Sequence, residues 1–380
     1  MSVNPKTRRE FLKSSLGTSA TVALAGSARR LPSAQAIPPA ARPARIRFAA
    51  IGLNHGHING QVETVIRGGG ELASFFAKEP ELSSAFVKRF PQARLARSEK
   101  EILDDPSIQL VVCASVPSER APLGVEVMEH GKDFMADKPA ATTLEQLAEL
   151  RRVQARTRRI VSVLVERHES KSIHKAGELV RAGAIGRVVQ TVGLAPHRMN
   201  PLTRPAWFFE REKYGGILCD LTSHNLDAYL FLTGSTRADV VASQAGNLNH
   251  PQYPGLEDFG DVMLSGDGGA GYIRVDWLSP AGLKTYGDGR ITILGTEGYI
   301  ELRKTVDIAG RPGGDHLFLV DQNGSRHVDC SDVALPYGGR LVDDVLNRTD
   351  TTDSQARTFL AMELALEAQK RARRLAPAAR

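Results

Sequence analysis

The sequence predicts an α/β protein with two domains, a doubly wound parallel sheet followed by an α/β domain with a mostly antiparallel, open sheet. Its 380 residues exceed what a single hydrophobic core normally supports. From Arg45 to about residue 165, apolar strands alternate with helices, the pattern of a parallel sheet. Beyond Gly186, longer strands follow one another across Gly-rich turns, which is typical of antiparallel sheets.

Residues 1–36 have the features of an export signal. Arg8-Arg9 directly precedes Phe11-Leu12, the arrangement of a twin-arginine signal. The run from Ser14 to Ala28 is too short and too weakly apolar for a stable membrane anchor. Ala34-Gln35-Ala36 is a small-x-small cleavage site, followed by a Pro/Ala-rich linker at 37–44. We therefore expect the twin-arginine machinery to export a folded enzyme, already loaded with its cofactor, to the periplasm.

Charge and cysteine content exclude several classes of partner. The formal net charge is +6, but six basic residues and one acidic residue lie in residues 1–36, which leaves about +1. This balance, without a basic stripe interleaved with aromatic side chains, gives no indication of nucleic-acid binding. Cys113, Cys219 and Cys330 are widely spaced in apolar sequence, so neither a disulfide framework nor a metal site is expected.

The first domain is predicted to cover residues 45–165. Strands are expected at 46–51, 72–76, 110–114, 133–135 and 160–164, with helices at 61–67, 82–90, 121–130 and 143–156. The first strand leads into Gly52-Leu53-Asn54-His55-Gly56-His57, where a Rossmann domain has its Gly-rich phosphate loop.

That loop departs from the G-x-G-x-x-G pattern. Only Gly52 is in register, Asn54 and His57 occupy the places of the other two glycines, and Gly56 is offset by one. Asn tolerates the left-handed backbone conformation, so a tight turn is still possible. We expect a dinucleotide pyrophosphate at the following helix N-terminus, contacted by this loop. His55 and His57 are expected either to assist this site or to face the nicotinamide. An ordinary strand-to-helix turn is the alternative.

The second domain is predicted to cover residues 166–350, followed by a C-terminal segment, 351–380. Strands are expected at 188–194, 259–264, 270–278, 290–294 and 299–302. The last segment contains a helix, from about Ser354 to Arg374, that is expected to pack back on the core.

A helix in this domain carries a titratable pair. In the run from Gly215 to Asp227, Asp220 and His224 are four residues apart, so they share one helix face among apolar neighbours. Such a pair is typical of an active site. A histidine held in the core by a hydrogen bond to Asp220 is the alternative.

Three segments resemble the glucose-fructose oxidoreductase / inositol dehydrogenase / MocA (Gfo/Idh/MocA) family. They are the strand and loop at 50–56, Asp137-Lys138-Pro139 in place of the family's Glu-Lys-Pro, and G-G-x-x-x-D-x-x-x-H at 215–224. The resemblance extends from Arg45 to the last helix. It implies an NAD(P)-dependent oxidoreductase that transfers hydride between a sugar, inositol or related polyol and the nicotinamide. It also implies a homo-oligomer.

The resemblance also assigns catalytic roles. It makes His224 the general base, because an imidazole titrates near neutral pH. Lys138 would stabilise the developing alkoxide, and Asp220 would bind a substrate hydroxyl or orient His224.

The cofactor-binding residues are expected to include Lys138, Ser115 after the third predicted strand, and Lys78. By alignment with the family, the acidic residue of NAD-preferring members is replaced by Ala77, followed by Lys78 and Glu79. The missing carboxylate and the added lysine favour NADP over NAD.

Substrate contacts are expected from His197, Arg204 and Trp207. Further candidates are Arg167, His168, Arg198, Tyr286 and Arg290. Two other functions stay open: a redox-neutral NAD-dependent glycosidase, and a non-catalytic NAD(P)- and sugar-binding regulator.

Overall fold

The computed structural model describes residues 44–377. The predicted export signal and all but the last residue of the linker lie outside the described residues. Within residues 44–377, no helix combines the length and the apolar character needed to cross a membrane.

The first domain is built on six parallel strands. They are β1 (Ile46–Ile51), β2 (Gly70–Phe76), β3 (Arg94–Leu95), β4 (Leu110–Cys113), β5 (Asp133–Asp137) and β6 (Val161–Leu164). Between them lie α1 (Ile58–Arg67), α2 (Pro80–Arg89), α3 (Glu99–Leu103), α4 (Pro117–Glu129) and α5 (Leu144–Thr157). The strand order β3-β2-β1-β4-β5-β6 confirms the predicted doubly wound sheet.

Burial explains why these strands are continuous apolar runs. Every residue of β4, β5 and β6 is buried, because helices cover both faces of the sheet. From β1 the sheet extends to one side through β2 and β3 and to the other side through β4, β5 and β6, so the strand order reverses between β1 and β4. Their carboxyl ends therefore diverge into a crevice, the usual ligand position in open α/β sheets.

The second domain contains a nine-stranded sheet. Its strands are β7 (Val188–Pro196), β8 (Ala238–Gly246), β9 (Phe259–Gly266), β10 (Gly269–Asp276), β11 (Arg290–Gly295), β12 (Tyr299–Arg303), β13 (His316–Asp321), β14 (Gly324–Val328) and β15 (Arg373–Leu375). The order is β14-β13-β12-β11-β7-β10-β9-β8-β15. Only the β7–β10 and β8–β15 pairs are parallel, so the predicted mostly antiparallel sheet is confirmed.

Five helices and three short 3-10 turns complete the described chain. The helices are α6 (Lys171–Arg181), α7 (Arg211–Tyr214), α8 (Ile217–Thr233), α9 (Tyr337–Asn347) and α10 (Gln355–Arg371), and the 3-10 turns are Glu166–Glu169, Pro201–Thr203 and Ala206–Phe209. Helix α8 ends at Gly234, whose left-handed backbone (φ 70°) closes the last turn.

One face of the nine-stranded sheet packs on α8. A side chain at Gly193 or Gly271 would collide with this helix, because a Cβ there would lie 2.7 Å from Nδ2 of Asn225 or 3.0 Å from the Tyr229 ring. The opposite face is more accessible, and adjacent strands place Val192, Tyr272, Met263 and Thr292 in one row across it. The sheet is therefore open on that side within the described chain.

The C-terminal part of the chain differs from the predicted division in two places. Helix α9 lies within the predicted second domain, yet Tyr337, Leu341 and Val342 belong to the apolar cluster of the first domain. The last helix ends at Arg371, and β15, which was not predicted, then pairs with β8. Both differences have one cause, since these residues pack or pair with chain segments far away in sequence.

The contact between α1 and α9 generates a stability prediction. A Cβ at Gly338 would lie 2.1 Å from the Thr64 carbonyl oxygen, whereas a Cβ at the neighbouring Gly339 would meet nothing within 4 Å. We expect Gly338→Ala to destabilise the fold by about 1–3 kcal/mol through overpacking. Gly339→Ala should be neutral or stabilising by about 0.5–1 kcal/mol. Urea unfolding of both variants tests this, and equal stability would contradict the close contact.

Candidate active site

Two cavities open at the carboxyl ends of the parallel strands. The larger has a volume of about 620 Å³ and extends to the second domain, and the smaller, about 340 Å³, lies beside β1, β2 and β4. Every predicted site residue borders one of them. The larger is bordered by His55, Gly56, His57, Lys138, His197, Arg204, Trp207, Asp220 and His224, the smaller by Gly52, Asn54, Lys78 and Ser115.

The loop after β1 has the features of a phosphate-binding turn. Gly52 has a φ of +77°, and a Cβ there would lie 2.5 Å from Cβ of Ser115, so only glycine fits. Among the described residues, the backbone N–H groups of Gly56 and His57 have no acceptor, and α1 begins directly after them. Free N–H groups at a helix N-terminus favour an anion, so this loop fits a dinucleotide pyrophosphate.

Asp137 is a buried carboxylate that ties this loop to the end of β5. It accepts hydrogen bonds from Nδ1 of His55 (2.7 Å), Nδ1 of His57 (3.0 Å) and the backbone N–H of Lys138 (2.8 Å). The guanidinium of Arg120 lies 3.1 Å away. Burial alone would raise the pKa of Asp137, but Arg120 and the two imidazoles hold it well below its usual value.

These hydrogen bonds determine which ring nitrogens face the cavity. Since Asp137 binds both Nδ1–H groups, Nε2 is the ring nitrogen of His55 and of His57 that is not bound to Asp137. In a neutral His55 ring, this Nε2 is an acceptor. Burial lowers the pKa of His55 despite the neighbouring carboxylate, which favours the neutral ring. One ligand atom from each of His55, His57 and Asp137 lies within 4.8 Å of the others, a metal-like grouping that the sequence analysis did not foresee. The nearby charge of Arg120 opposes a divalent cation there.

The predicted catalytic residues meet across the larger cavity. Nζ of Lys138, directly after β5, lies 2.6 Å from Oδ1 of Asp220 on α8. His224 follows one turn later and borders the same cavity. Its Nδ1 accepts a hydrogen bond from the backbone N–H of Glu166 (3.1 Å).

The Glu166 contact restricts the chemistry of His224. A neutral ring that accepts at Nδ1 carries its proton on Nε2, so it donates into the cavity. Protonation of Nδ1 would set two N–H groups against each other. Burial, with the charge of Lys138, holds the pKa of His224 well below its usual value. This arrangement opposes the predicted role of His224 as general base.

The start of α8 is held by residues distant in sequence. Gly215 and Gly216 have φ values of +87° and +101°, which turn the chain into the helix. Oε2 of Glu257 accepts from the N–H of Ile217 (2.9 Å), and Oε1 of Gln369 on α10 accepts from the next two N–H groups (2.8 and 3.2 Å). The helix N-terminus that carries Asp220 is therefore fully capped by protein.

His197 and Trp207 form part of the cavity wall. Nδ1 of His197 donates to the carbonyl of Ala195 (2.9 Å), so its Nε2 is an acceptor. Burial lowers the pKa of His197 to about 4, and the ring is neutral at pH 7. Trp207 lies edge-on to His55, with 6.2 Å between ring centres, and so links the two domains across the cavity.

Arg204 is held against three aromatic rings. Its guanidinium carbon lies 4.4 Å from the ring centre of Phe208, 4.9 Å from that of Trp277 and 5.8 Å from that of Tyr286. Nε donates to the carbonyl of Met199 (3.0 Å), and Nη2 donates to the Tyr286 hydroxyl. Tyr286 thus joins the wall as expected.

The other candidate residues lie outside both cavities. Arg167 and His168 form a buried ionic network with Asp227 and Asp353. The guanidinium of Arg198 donates to backbone carbonyls of the 281–285 loop, and Arg290 pairs with Asp288. None of these four side chains borders either of the two cavities, and their contacts are those of packing residues.

The smaller cavity is strongly acidic. Glu79, Glu99, Glu119 and Glu126 border it with one cation, Lys78. Oε1 of Glu79 accepts from Nδ2 of Asn54 in the phosphate loop (2.8 Å). The side chain of Lys78 is 67% exposed, with Nζ 3.9 Å from Glu99.

Comparison with known proteins agrees with this geometry. Residues 46–165 match the profile described as "Oxidoreductase family, NAD-binding Rossmann fold", and residues 173–301 match the "GFO/IDH/MocA C-terminal domain". A crystal structure from Erwinia carotovora atroseptica, named as that of an oxidoreductase, shares 44% identity. It superimposes with a TM-score of 0.85 over 87% of this chain and 100% of that chain. The chain belongs to the Gfo/Idh/MocA family.

Curated members of the Gfo/Idh/MocA family are more distant in sequence. The 1,5-anhydro-D-fructose reductase of Ensifer adhaerens is 26% identical over 52% of this chain and 58% of its own. The NAD⁺-dependent scyllo-inositol 2-dehydrogenase of Bacillus subtilis (strain 168) is 27% identical over 53% of this chain and 56% of its own. The chain thus matches only about half the length of these relatives.

Sequence reasoning missed several residues of this Gfo/Idh/MocA site. Arg120, Glu166 and Lys304 border the larger cavity, and Glu79 borders the smaller. Arg120, on the buried side of an apolar helix, was the one detectable signal, because a buried arginine requires a partner. Glu166 contributes through its backbone N–H, for which a sequence carries no signal.

Proposed function

We propose that this protein transfers hydride between a secondary alcohol of a sugar, inositol or related polyol and an NAD(P) cofactor. The observation that carries the proposal is the convergence of Lys138, Asp220 and His224 in one cavity beside the phosphate loop. The activities named for the two curated relatives concern an anhydrosugar and an inositol, which supports this substrate class. When bound, the oxidised nicotinamide accepts the hydride from the substrate carbon.

Residues of this chain then transfer the proton to or from the substrate oxygen. In the reductive direction, the ammonium of Lys138 donates a proton to the carbonyl oxygen. In oxidation, Lys138 first releases this proton to solvent, and its amine then accepts the hydroxyl proton. Asp220 stabilises the ammonium at 2.6 Å and holds Nζ in place. Nε2–H of His224 donates a hydrogen bond to the same oxygen and stabilises developing negative charge without changing its own protonation.

Two substitutions of His224 distinguish its role as a hydrogen-bond donor from a role as a general base. We expect His224→Ala to lower kcat by about 100-fold, the usual effect of losing one such donor. His224→Gln, whose amide can donate but cannot act as a base, should stay within about 10-fold of the wild type. Because the wild-type ring stays neutral, the pH profile of kcat should keep its shape in His224→Gln.

Steady-state NADH formation on a panel of polyols and sugars measures both variants. An equal loss of kcat in His224→Ala and His224→Gln, together with a changed pH profile, would indicate that His224 is the general base. Cleavage of a glycoside without net NADH would instead indicate the redox-neutral glycosidase.

The acidic cavity supports NAD rather than the NADP that Lys78 suggested. A 2'-phosphate carries about −1.5 to −2 charge at neutral pH and would enter a cavity with four carboxylates and one cation. Burial raises the pKa of Glu99, Lys78 lowers it, and the like charges of Glu126 and Glu119 raise it further. The carboxylate of Glu79, fixed on Asn54, is a suitable acceptor for ribose hydroxyls.

Binding constants for NADH and NADPH, measured by titration of protein fluorescence, test this preference. We expect the wild type to bind NADH more tightly by at least about 10-fold, and Glu79→Gln to reduce that ratio, since it removes one like charge. Lys78→Glu should leave NADH as the preferred cofactor, as should the control Lys88→Glu on α2. Preferential NADPH binding that Lys78→Glu reverses would assign Lys78 to a 2'-phosphate.

We also propose periplasmic export through the twin-arginine pathway and assembly through the open face of the nine-stranded sheet. The Arg8-Arg9 sequence supports export, and exposed Val241, Met263, Leu294 and Tyr299 support assembly. Cell fractionation followed by light scattering of the purified protein should give a cleaved, multimeric protein in the periplasm. An uncleaved cytoplasmic protein would contradict export, and a monomer would contradict assembly.

A further inference from the structure

The cations around the larger cavity are, with one exception, paired with carboxylates, whereas Glu169 and Asp315, which also border it, have no cation within 4.0 Å among the described residues. Lys138 pairs with Asp220 (2.6 Å), and Lys304 pairs with Glu166 (3.3 Å). Arg120, the third cation, pairs with Asp137. Each of these cations has a carboxylate within 4.0 Å, so none offers an unpaired charge to a ligand.

Arg204 is the exception among the described cations that border the cavity. No carboxylate of the described chain lies within 4.0 Å of its guanidinium, and its protein acceptors are the neutral oxygens of Met199 and Tyr286. Its other N–H groups, including both on Nη1, have no acceptor in that part of the chain. The Arg204 guanidinium therefore borders the cavity without a paired anion, and an anionic ligand would complete the ion pair.

The surroundings of Arg204 prepare it for a planar anion. The rings of Phe208 and Trp277 lie against the guanidinium and restrict its rotamers, so little side-chain entropy remains to be lost on binding. Phe208 and Trp277 are buried, so they present a low-dielectric surface to the guanidinium, which strengthens its attraction for a carboxylate.

His197 adds a second, different contact at the same end of the cavity. Its ring centre lies 5.4 Å from those of Trp277 and Tyr286, both of which contact Arg204. Its Nε2 is an acceptor, because Nδ1–H is already bound to Ala195. An acceptor beside a free guanidinium matches a hydroxyl next to a carboxylate.

We infer that Arg204 selects a substrate with a carboxylate, a sugar acid rather than a neutral sugar or polyol. The carboxylate pairs with Arg204, a neighbouring hydroxyl donates to His197, and the oxidised carbon lies toward Lys138. One unpaired cation matches one carboxylate, whereas a phosphate dianion would meet too little positive charge. This inference rests on the proposed hydride transfer for its turnover measurement, but its binding measurement is independent of turnover.

Matched substrate pairs test the inference on the full mature protein. D-glucuronate with D-glucose, and D-galacturonate with D-galactose, differ only in a carboxylate against a hydroxymethyl group. We expect kcat/KM with NAD⁺ to favour the acid of at least one pair by about 10- to 100-fold, the range of a charge-assisted bidentate contact. Arg204→Gln should reduce this ratio to less than about 3-fold, and Arg204→Lys should restore part of it.

A control substitution and a binding measurement make the result unambiguous. Lys284→Gln removes an exposed cation from the loop that carries Tyr286, outside the cavity, and should leave the acid-to-neutral ratio unchanged. Calorimetric titration of the NADH-loaded protein, which cannot oxidise these sugars, should give tighter binding of the acids in the wild type than in Arg204→Gln. Thermal melting of both variants identifies any loss of folding.

The possible outcomes separate the two claims. Turnover of neutral sugars with no preference for acids, and no effect of Arg204→Gln on the ratio, overturns the inference and leaves the proposed function in place. Absence of any turnover overturns the proposed function, and calorimetry then decides the inference alone. Failure of both acids to bind more tightly than their neutral partners overturns the inference in either case.

Discussion

The buried carboxylate of Asp137 is the interaction on which the rest of the site depends. It joins three separate pieces of the first domain: the phosphate loop through His55 and His57, α4 through Arg120, and the end of β5. Arg120 in turn donates to the carbonyls of Ser115 (2.8 Å) and Lys138 (2.6 Å). The loop that faces the cofactor and the strand end that carries the lysine are thus fixed to one another.

A buried ionic group of this kind is costly unless every partner is present. Removing one member of a buried pair commonly costs about 3–5 kcal/mol, because the other charge is left without compensation. Asp137 occupies the position of the glutamate usual in the family, and its carboxylate binds both imidazoles of the loop. His57, which occupies the place of a glycine in the regular G-x-G-x-x-G pattern, is thus one of the hydrogen-bond donors to the buried carboxylate.

Local sequence patterns predicted much of the fold. Strands β1, β2, β4, β5 and β6 and the end of α8 at Gly234 follow from patterns of consecutive residues, and they lie close to where they were expected. The exposed two-residue strand β3 has no such pattern and was not predicted. Strand β15 and the placement of α9 against α1 depend on partners more than 100 residues away, and single-sequence patterns do not encode such pairings.

The sequence predicts those site residues that can be identified from their side-chain type and their spacing in a motif. Lys138, Asp220 and His224, which were chosen from motif spacing, border one cavity in the structure. The direction of the His224 hydrogen bond could not be predicted from the sequence, because it is set by a backbone N–H from Glu166. Lys78 suggested a 2'-phosphate, but the surrounding carboxylates come from α3 and α4 as well as from the loop after β2. The net charge around Lys78 depends on residues that folding brings together, so a short stretch of sequence does not predict it.

The contact between Gln369 and the start of α8 has a consequence for the order in which the site can form. Helix α8 carries Asp220 and His224, and two of its first N–H groups are bound by a side chain of α10 that lies about 150 residues later in the chain. The first sheet can form from residues that are synthesised early, but α8 gains this cap only after α10 has been synthesised and has packed against it. Docking of α10 is therefore a late step in building the cavity wall that α8 provides.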